Sequence, residues 1–332
     1  MDHGNMDDSI TIVLDSNELL SGICGVNDEN LKLIEGALGG QIAARGNEIR
    51  LGGVDANGLR LFRAVIDNLG AVVRDGEMPT PEYVQALTQN LINGDIPPEA
   101  GELSGAASHS LRDAVIQIPQ GFHRVYPRTK NQADYVRGMR SCEIAFSIGP
   151  AGTGKTYLAI AEALRLVLSK KMRKIVLTRP VVEAGENLGF LPGDLAQKIN
   201  PYLRPLYDAM ESLTSFEVIH RLEEIRAIEI APLAYMRGRS LNDCMVILDE
   251  AQNTTKEQMK MFLTRIGTGA RAVITGDSTQ IDLPKRVDSG LLHAAGILRN
   301  VEGIHFSYLH TADVVRNPLI KKIIKAYDES EQ

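Results

Sequence analysis

Apolar and polar positions along this chain follow two different rhythms. Beyond about residue 110, short apolar runs alternate with longer stretches of helical spacing. The runs are "IAFSIGP", "KIVLTRP", "AIEIAP", "CMVILDE", "ARAVITGD" and "GIHFSYL". Near-continuous apolar runs separated by helices predict a parallel, doubly wound α/β sheet covered on both faces. The N-terminal third is patterned differently. "SITIVLDS" predicts a β-branched strand, and Leu31, Leu33, Ile34 and Leu38 recur near helical spacing. "QIAARG" and "NEIRLGG" predict two short strands joined at Gly46-Asn47, and "VDANGLRLFRAVIDNL" an amphipathic helix. The predicted order is β-α-α-β-β-α, with one further helix over "TPEYVQALTQNLING". "PPEAGELSGAASH" is rich in Pro, Gly, Ser and Ala, which predicts a linker. The expected organisation is therefore a small α/β domain over 1–95, a linker over 96–109 and a larger α/β domain over 110–332.

The bulk composition changes little in this picture. With 332 residues, 44% hydrophobic and 23% charged, the chain has the make-up of a globular protein with a substantial core. No apolar run approaches the ~20 residues needed to span a bilayer, and "MDHGNMDDSI" lacks the apolar segment of a secretory signal. Cys24, Cys142 and Cys244 have no CxxC spacing, which argues against a disulfide framework or a zinc site. A cytoplasmic protein without membrane partners is expected. The net charge of −6 hides an asymmetry, because residues 1–95 hold 15 acidic and only 6 basic side chains.

The chemistry begins at "GPAGTGKT", which satisfies G-x-x-x-x-G-K-[ST] between an apolar run and a helical stretch. Glycines let backbone N–H groups close around phosphate oxygens, and the following helix adds its partial positive N-terminus. Gly149, Pro150, Ala151, Gly152, Thr153, Gly154, Lys155, Thr156 and Tyr157 are the expected nucleotide-binding residues. Lys155 is assigned to the β- and γ-phosphates and the Thr156 hydroxyl to Mg²⁺. "CMVILDE" ends in two adjacent carboxylates: Asp249 is expected to hold the metal and Glu250 to accept a proton from the attacking water. "ITGDSTQ" puts Asp277 and Gln280 past another strand, where they would sense the γ-phosphate or orient water. Gln132 in "TKNQADYV" fits either an adenine contact or an ordinary surface glutamine.

These residues together resemble the PhoH family of P-loop ATPases, particularly the bacterial PhoH-like (PhoL/YbeZ) group. The resemblance runs from about residue 10 to 328. It rests on "GPAGTGKTYLA", "LTRPVVEAGENLGFLPGDL", "NPYLRPLYDAM", "IEIAPLAYMRGRSLND", "ILDEAQNTTKEQMKMFLTRIG", "TGDSTQIDLP" and "DVVRNPLI". It implies a P-loop NTPase core similar to the first motor domain of superfamily 1 helicases, hence RecA-like. On that likeness Gln132 reads adenine, and Arg316 after the last strand reaches the γ-phosphate. The family also implies Mg²⁺-dependent ATP hydrolysis coupled to RNA unwinding, and a YbeY-type endoribonuclease as partner in rRNA maturation. Ser240 after "RGR" and Asn317 after "DVVR" are mild departures from the family pattern.

Residues 110–332 have room for one motor domain, whereas a superfamily 1 helicase uses two. The second half of the site is therefore expected from another subunit, and contacts that close on themselves form rings. A homo-oligomer, most simply a hexamer, follows from this and from the resemblance. Arg237 and Arg239 in "YMRGRS" are the candidates for donation across such an interface, or for contact with RNA phosphate or solvent. The N-terminal element order, with Gly22-Ile23-Cys24-Gly25 between its first two helices, is similar to a KH domain. There a GXXG loop lets a nucleic-acid backbone approach. The acidic balance of residues 1–95 equally suits protein contact. Arg179, Asn187 and Phe190 in "TRPVVEAGENLGFLPGD" suit a single-strand contact, or a loop packed on the core.

Two other functions share these parts. A small-molecule P-loop kinase would need no hydrolytic glutamate, which Glu250 argues against. A nucleotide-gated adaptor for a partner nuclease would use the same site to set conformation. A metal-dependent nuclease lacks support, because no other carboxylate or histidine cluster has ligand spacing.

Overall fold

A computed structural model describes residues 9–94, 113–119, 124–180, 204–284 and 286–314. The expected linker, 96–109, lies outside the described residues, as do Asn187, Phe190 and Arg316. Contacts between Cα atoms divide the chain into two units. One comprises Met1–Val115 with Tyr126–Ala133, the other Ile116–Val125 with Asp134–Gln332.

In the first unit the element order is β1 (Ser9–Val13), α1 (Asn17–Cys24), α2 (Glu29–Leu38), β2 (Gln41–Arg45), β3 (Glu48–Gly52), α3 (Ala56–Arg74) and α4 (Pro81–Ile92). This is the expected β-α-α-β-β-α succession with its additional helix. The strands form an antiparallel sheet in the order β1-β3-β2. Local chemistry sets the helix starts: Ser16, Asp55 and Thr80 each accept a hydrogen bond from a first-turn N–H, and Pro81 occupies the first turn of α4. Ile23, Ile34, Ile49, Leu51, Phe62, Val65, Ile66 and Leu69 form the centre of the core, all fully buried.

Gly22-Ile23-Cys24-Gly25 does not form the open loop expected of it. Gly22, Ile23 and Cys24 complete α1 and are buried, and only Gly25 lies past its end. A Cβ on Gly22 would come within 2.8 Å of a Val73 methyl, so this glycine serves close packing of α1 on α3. The exposed link between the helices is instead the turn Val26–Asp28.

The second unit is built on a six-stranded sheet in the order β11-β6-β10-β9-β7-β8. Its strands are β6 (Ile144–Ile148), β7 (Lys174–Arg179), β8 (Ile228–Pro232), β9 (Cys244–Leu248), β10 (Arg271–Gly276) and β11 (Ile304–Tyr308). Every neighbouring pair is parallel. A separate small ribbon pairs β4 (Ile116–Gln117) with β5 (Arg124–Val125). All of β9 is buried, as are β6 and β10 beyond their first residues, while the edge strands β8 and β11 are mixed. That difference explains why the central strands read as unbroken apolar runs. Phe146 of β6 stacks on Phe306 of β11, with ring centroids 4.5 Å apart. Helices α5 (Lys130–Ser141) and α6 (Lys155–Leu168) flank β6 in sequence. They are followed by the helical residues 204–211 (α7), then α8 (Phe216–Glu224), α9 (Lys256–Leu263) and α10 (Gly290–Ile297).

Candidate nucleotide site

In a parallel sheet all the carboxyl ends lie along one edge, and the register here aligns four of them. Ile148 of β6 pairs with Gly276 of β10, Ile274 of β10 with Leu248 of β9, and Leu248 with Thr178 of β7. The residues just past these ends are the phosphate loop, Asp277, Asp249 and Glu250; Arg179 closes β7 itself. The sheet thus carries residues distant in sequence to one edge, the usual position of ligand sites in open α/β folds.

The loop begins where β6 ends. Gly149 N–H donates to the Gly276 carbonyl at 3.1 Å, and a Cβ on Gly149 would lie 2.4 Å from the Leu309 carbonyl oxygen. The glycine is required by this approach of three chain segments. Gly152 and Gly154 take φ of 81° and 82°, which reverse the chain so that α6 starts at Lys155. Lys155 Nζ donates to the carbonyls of Gly149 and Pro150 at 2.6 and 2.7 Å, holding its charge inside the curl. Burial pushes the Lys155 ammonium below its ordinary range, while Asp277, Asp249 and Glu250 pull it back. The fully buried Tyr135 hydroxyl donates to the Lys155 carbonyl at 3.2 Å, pinning the first turn of α6 to α5. Burial, then the Asp249 charge, raises that phenol well above its usual pKa, so it remains a donor.

Thr156 Oγ1 donates to Asp249 Oδ1 at 2.7 Å, and Thr275 Oγ1 donates to the same oxygen at 2.7 Å. A hydroxyl and a carboxylate at hydrogen-bond distance are the hard oxygen donors that Mg²⁺ takes, with phosphate oxygens and water completing its shell. These two residues fit that ion. Among the described residues no group of three or more His, Cys, Asp or Glu is placed to hold a metal.

Glu250 has φ 53° and ψ 38°, the left-handed region, which costs a non-glycine residue about 1 kcal/mol. Its two carboxylate oxygens have different partners. Oε1 pairs with the Arg179 guanidinium at 3.2 Å, and Oε2 accepts from Gln252 Nε2 at 2.6 Å. Asp277 is buried and accepts from the Ala151 N–H at 2.9 Å and from the Thr279 N–H and hydroxyl at 2.9 and 2.6 Å. Gln280 has its backbone tied into this turn, its N–H on the Asp277 carbonyl at 3.2 Å. These groups border a cleft of about 420 Å³, a volume suited to a small-molecule ligand. Tyr157 and Gln280 line the same cleft. A second cavity of about 510 Å³, between α6 and α8, is lined by Val167, Leu222, Arg173 and Arg221 and holds none of these groups.

The other sequence candidates lie as follows. Gln132 sits in the first turn of α5, buried, with its Oε1 accepting the Arg128 N–H at 2.6 Å. Arg239 makes a two-pronged pair with Glu229, at 2.5 and 3.0 Å, and Lys174 pairs with the same carboxylate. The Arg239 hydrogen bond, foremost, holds the Glu229 carboxyl at a pKa of about 2. Arg239 is thus engaged within its own chain, and Arg237 is the exposed member of the "RGR" pair, beside Gly238 at φ 75°. Two site residues escaped the sequence reading. The sequence places Arg179 in a segment suited to a single-strand contact or to a loop packed on the core, and gives Gln252, which is fully buried, no role. The available signal for Gln252 was its place two residues past the acidic pair.

A family model described as PhoH-like protein matches residues 124–328. The PhoH-like protein of Mycobacterium tuberculosis (strain H37Rv) is 47% identical over 315 residues, 95% of this chain and 86% of the relative. That of Bacillus subtilis is 46% identical, covering 92% of each. Protein PhoH of Escherichia coli K12 is 42% identical over 205 residues, 61% of this chain and 58% of that protein. Among solved structures, a Pif1 helicase from Candida albicans matches 59% of this chain and 42% of its own at 14% identity, with a TM-score of 0.31.

Proposed function

The chain belongs to the PhoH-like protein family, and on that premise we propose that it is a Mg²⁺-dependent ATPase that couples hydrolysis to work on RNA. Nucleotide binding follows from the family and its phosphate loop. The observation that carries the hydrolytic reading is the 2.7 Å contact between Thr156 and Asp249, with Glu250 next in the chain. A kinase needs the first pair but not the second carboxylate.

In this reading the loop N–H groups and the Lys155 ammonium bind the triphosphate and neutralise its charge. Thr156 and Asp249 would hold Mg²⁺, which supplies Lewis-acid stabilisation of charge on the phosphoryl oxygens. A water adds to the γ-phosphorus as the bond to the β–γ bridging oxygen breaks, and Glu250 takes the proton that water gives up. Asp277, through Ala151, keeps the loop in the shape that receives the phosphates.

RNA as substrate, a ring of identical subunits (a hexamer in the simplest case), Arg237 and Arg316 as γ-phosphate contacts and an endoribonuclease partner belong to the same proposal. So does a cytoplasmic setting; among the described residues no helix is long and apolar enough to cross a membrane. The test is phosphate release from ATP by the purified full chain, with and without Mg²⁺, RNA and DNA. Metal-dependent release that RNA stimulates more than DNA is expected. Absence of release under every condition overturns the ATPase, and equal response to DNA overturns the RNA preference.

A further inference from the structure

The proton acceptor and the phosphate loop lie on different segments, yet an unbroken hydrogen-bond chain joins them. Ala151 N–H, inside the loop, donates to Asp277 Oδ2 at 2.9 Å. Asp277 N–H donates to Gln252 Oε1 at 3.0 Å. Gln252 Nε2 donates to Glu250 Oε2 at 2.6 Å and to the Gln280 carbonyl at 3.0 Å. Gln252 has no exposed surface, and both ends of its amide are used.

That arrangement is specific to an amide. A side chain with donors alone could not receive Asp277 N–H, and one with acceptors alone would face the Glu250 carboxylate and the Gln280 carbonyl without a proton to offer. The space is also restricted, since a Cβ on Gly276 would lie 3.0 Å from Gln252 Oε1. Glu250 needs external support because its left-handed backbone is intrinsically disfavoured. Its Oε2 is fixed by Gln252, which directs Oε1 to Arg179. The loop and the carboxylate are thus linked through one residue, Asp277, whose side chain holds the loop and whose backbone N–H holds the Gln252 amide.

We infer that Gln252 is a positioning residue that couples occupancy of the phosphate loop to the orientation of the Glu250 carboxylate. This rests on the hydrolytic role proposed for Glu250. Gln252 touches no reacting atom. It sets where the proton-accepting oxygen points, and its own amide is held by the residue whose carboxylate grips the loop.

The test compares the parent chain with Gln252→Glu and Gln252→Met, which keep the length of the side chain and remove one or both ends of the amide's pairing. Melting temperature, affinity for a fluorescent ATP analogue with Mg²⁺, and kcat and KM for phosphate release are measured for each. Expected is a fall in kcat of about 30-fold or more, with KM and analogue affinity within about threefold of the parent. Placed in a Glu250→Gln background, Gln252→Met is expected to add no further loss, because its effect passes through Glu250. Parent-like kcat in either variant overturns the inference. So does a loss that tracks unfolding or weakened nucleotide binding, or one that adds fully to Glu250→Gln. Absence of turnover in the parent overturns the ATPase reading itself, and the two failures are thereby distinguished.

Discussion

The Thr156 hydroxyl reaches the Asp249 carboxylate across 2.7 Å although 93 positions separate them in the chain. Thr156 lies in the first turn of α6 and Asp249 just past β9, and β10 runs between β6 and β9. The contact follows from sheet register, and the Thr275 hydroxyl of β10 donates to the same Asp249 oxygen at 2.7 Å.

Thr156→Val and Asp249→Asn should each raise the Mg²⁺ concentration needed for half-maximal ATP turnover, and lower turnover at saturating metal by about 10- to 100-fold. A magnesium titration of phosphate release checks this. An unchanged metal requirement in both variants would contradict the assignment of the ion.

Glu250→Gln should bind ATP with near-parent affinity while losing about 100-fold or more in kcat. Lys155→Ala should lose both, since it removes the charge that faces the phosphates. Equilibrium binding of a labelled nucleotide beside steady-state turnover separates the two outcomes.

Glu229, on the edge strand β8, binds Arg239 and Lys174, and its carboxyl is held at about 2, below the ordinary 4.5. A depressed carboxylate stabilises the fold above its unfolded pKa, and the benefit disappears as pH falls through the folded value. Glu229→Gln should therefore cost about 1–2 kcal/mol near pH 7, allowing for partial solvent screening. The difference from the parent should begin to shrink below about pH 4.5 and be nearly gone at about pH 2. Denaturant midpoints at a series of pH values measure it.

Gly149→Ala should destabilise the protein by about 1–3 kcal/mol and weaken nucleotide binding together, because the added methyl meets the Leu309 carbonyl at 2.4 Å. Thermal melts with and without ATP show whether both change.

Legibility differed between parts of the molecule for physical reasons. The strands β6, β9 and β10 were readable because burial on both faces demands apolar side chains at successive positions. The phosphate loop and acidic pair were readable because their chemistry admits few residue types at fixed spacing. The Gly22–Gly25 motif misled because glycine serves close helix packing and ligand approach equally well, and only Val73 shows which. The tie of Arg239 to Glu229 joins a turn to β8, and that of Arg179 to Glu250 joins the end of β7 to the segment past β9; a linear pattern carries no record of either. Gln252 was invisible for a related reason: what distinguishes it from any polar loop residue is the set of partners that β10 brings to it.

The placement of β10 between the phosphate-loop strand and the acidic strand has a mechanical consequence. Drawing Thr156 away from Asp249 by sliding those strands would mean shearing two hydrogen-bonded ladders at once, so the floor of the cleft behaves as a rigid anvil. Whatever stroke accompanies the proposed turnover cycle must then be delivered by segments outside these ladders, and variants intended to alter coupling while keeping grip on the nucleotide belong at Gln252, past β9, rather than in the strands.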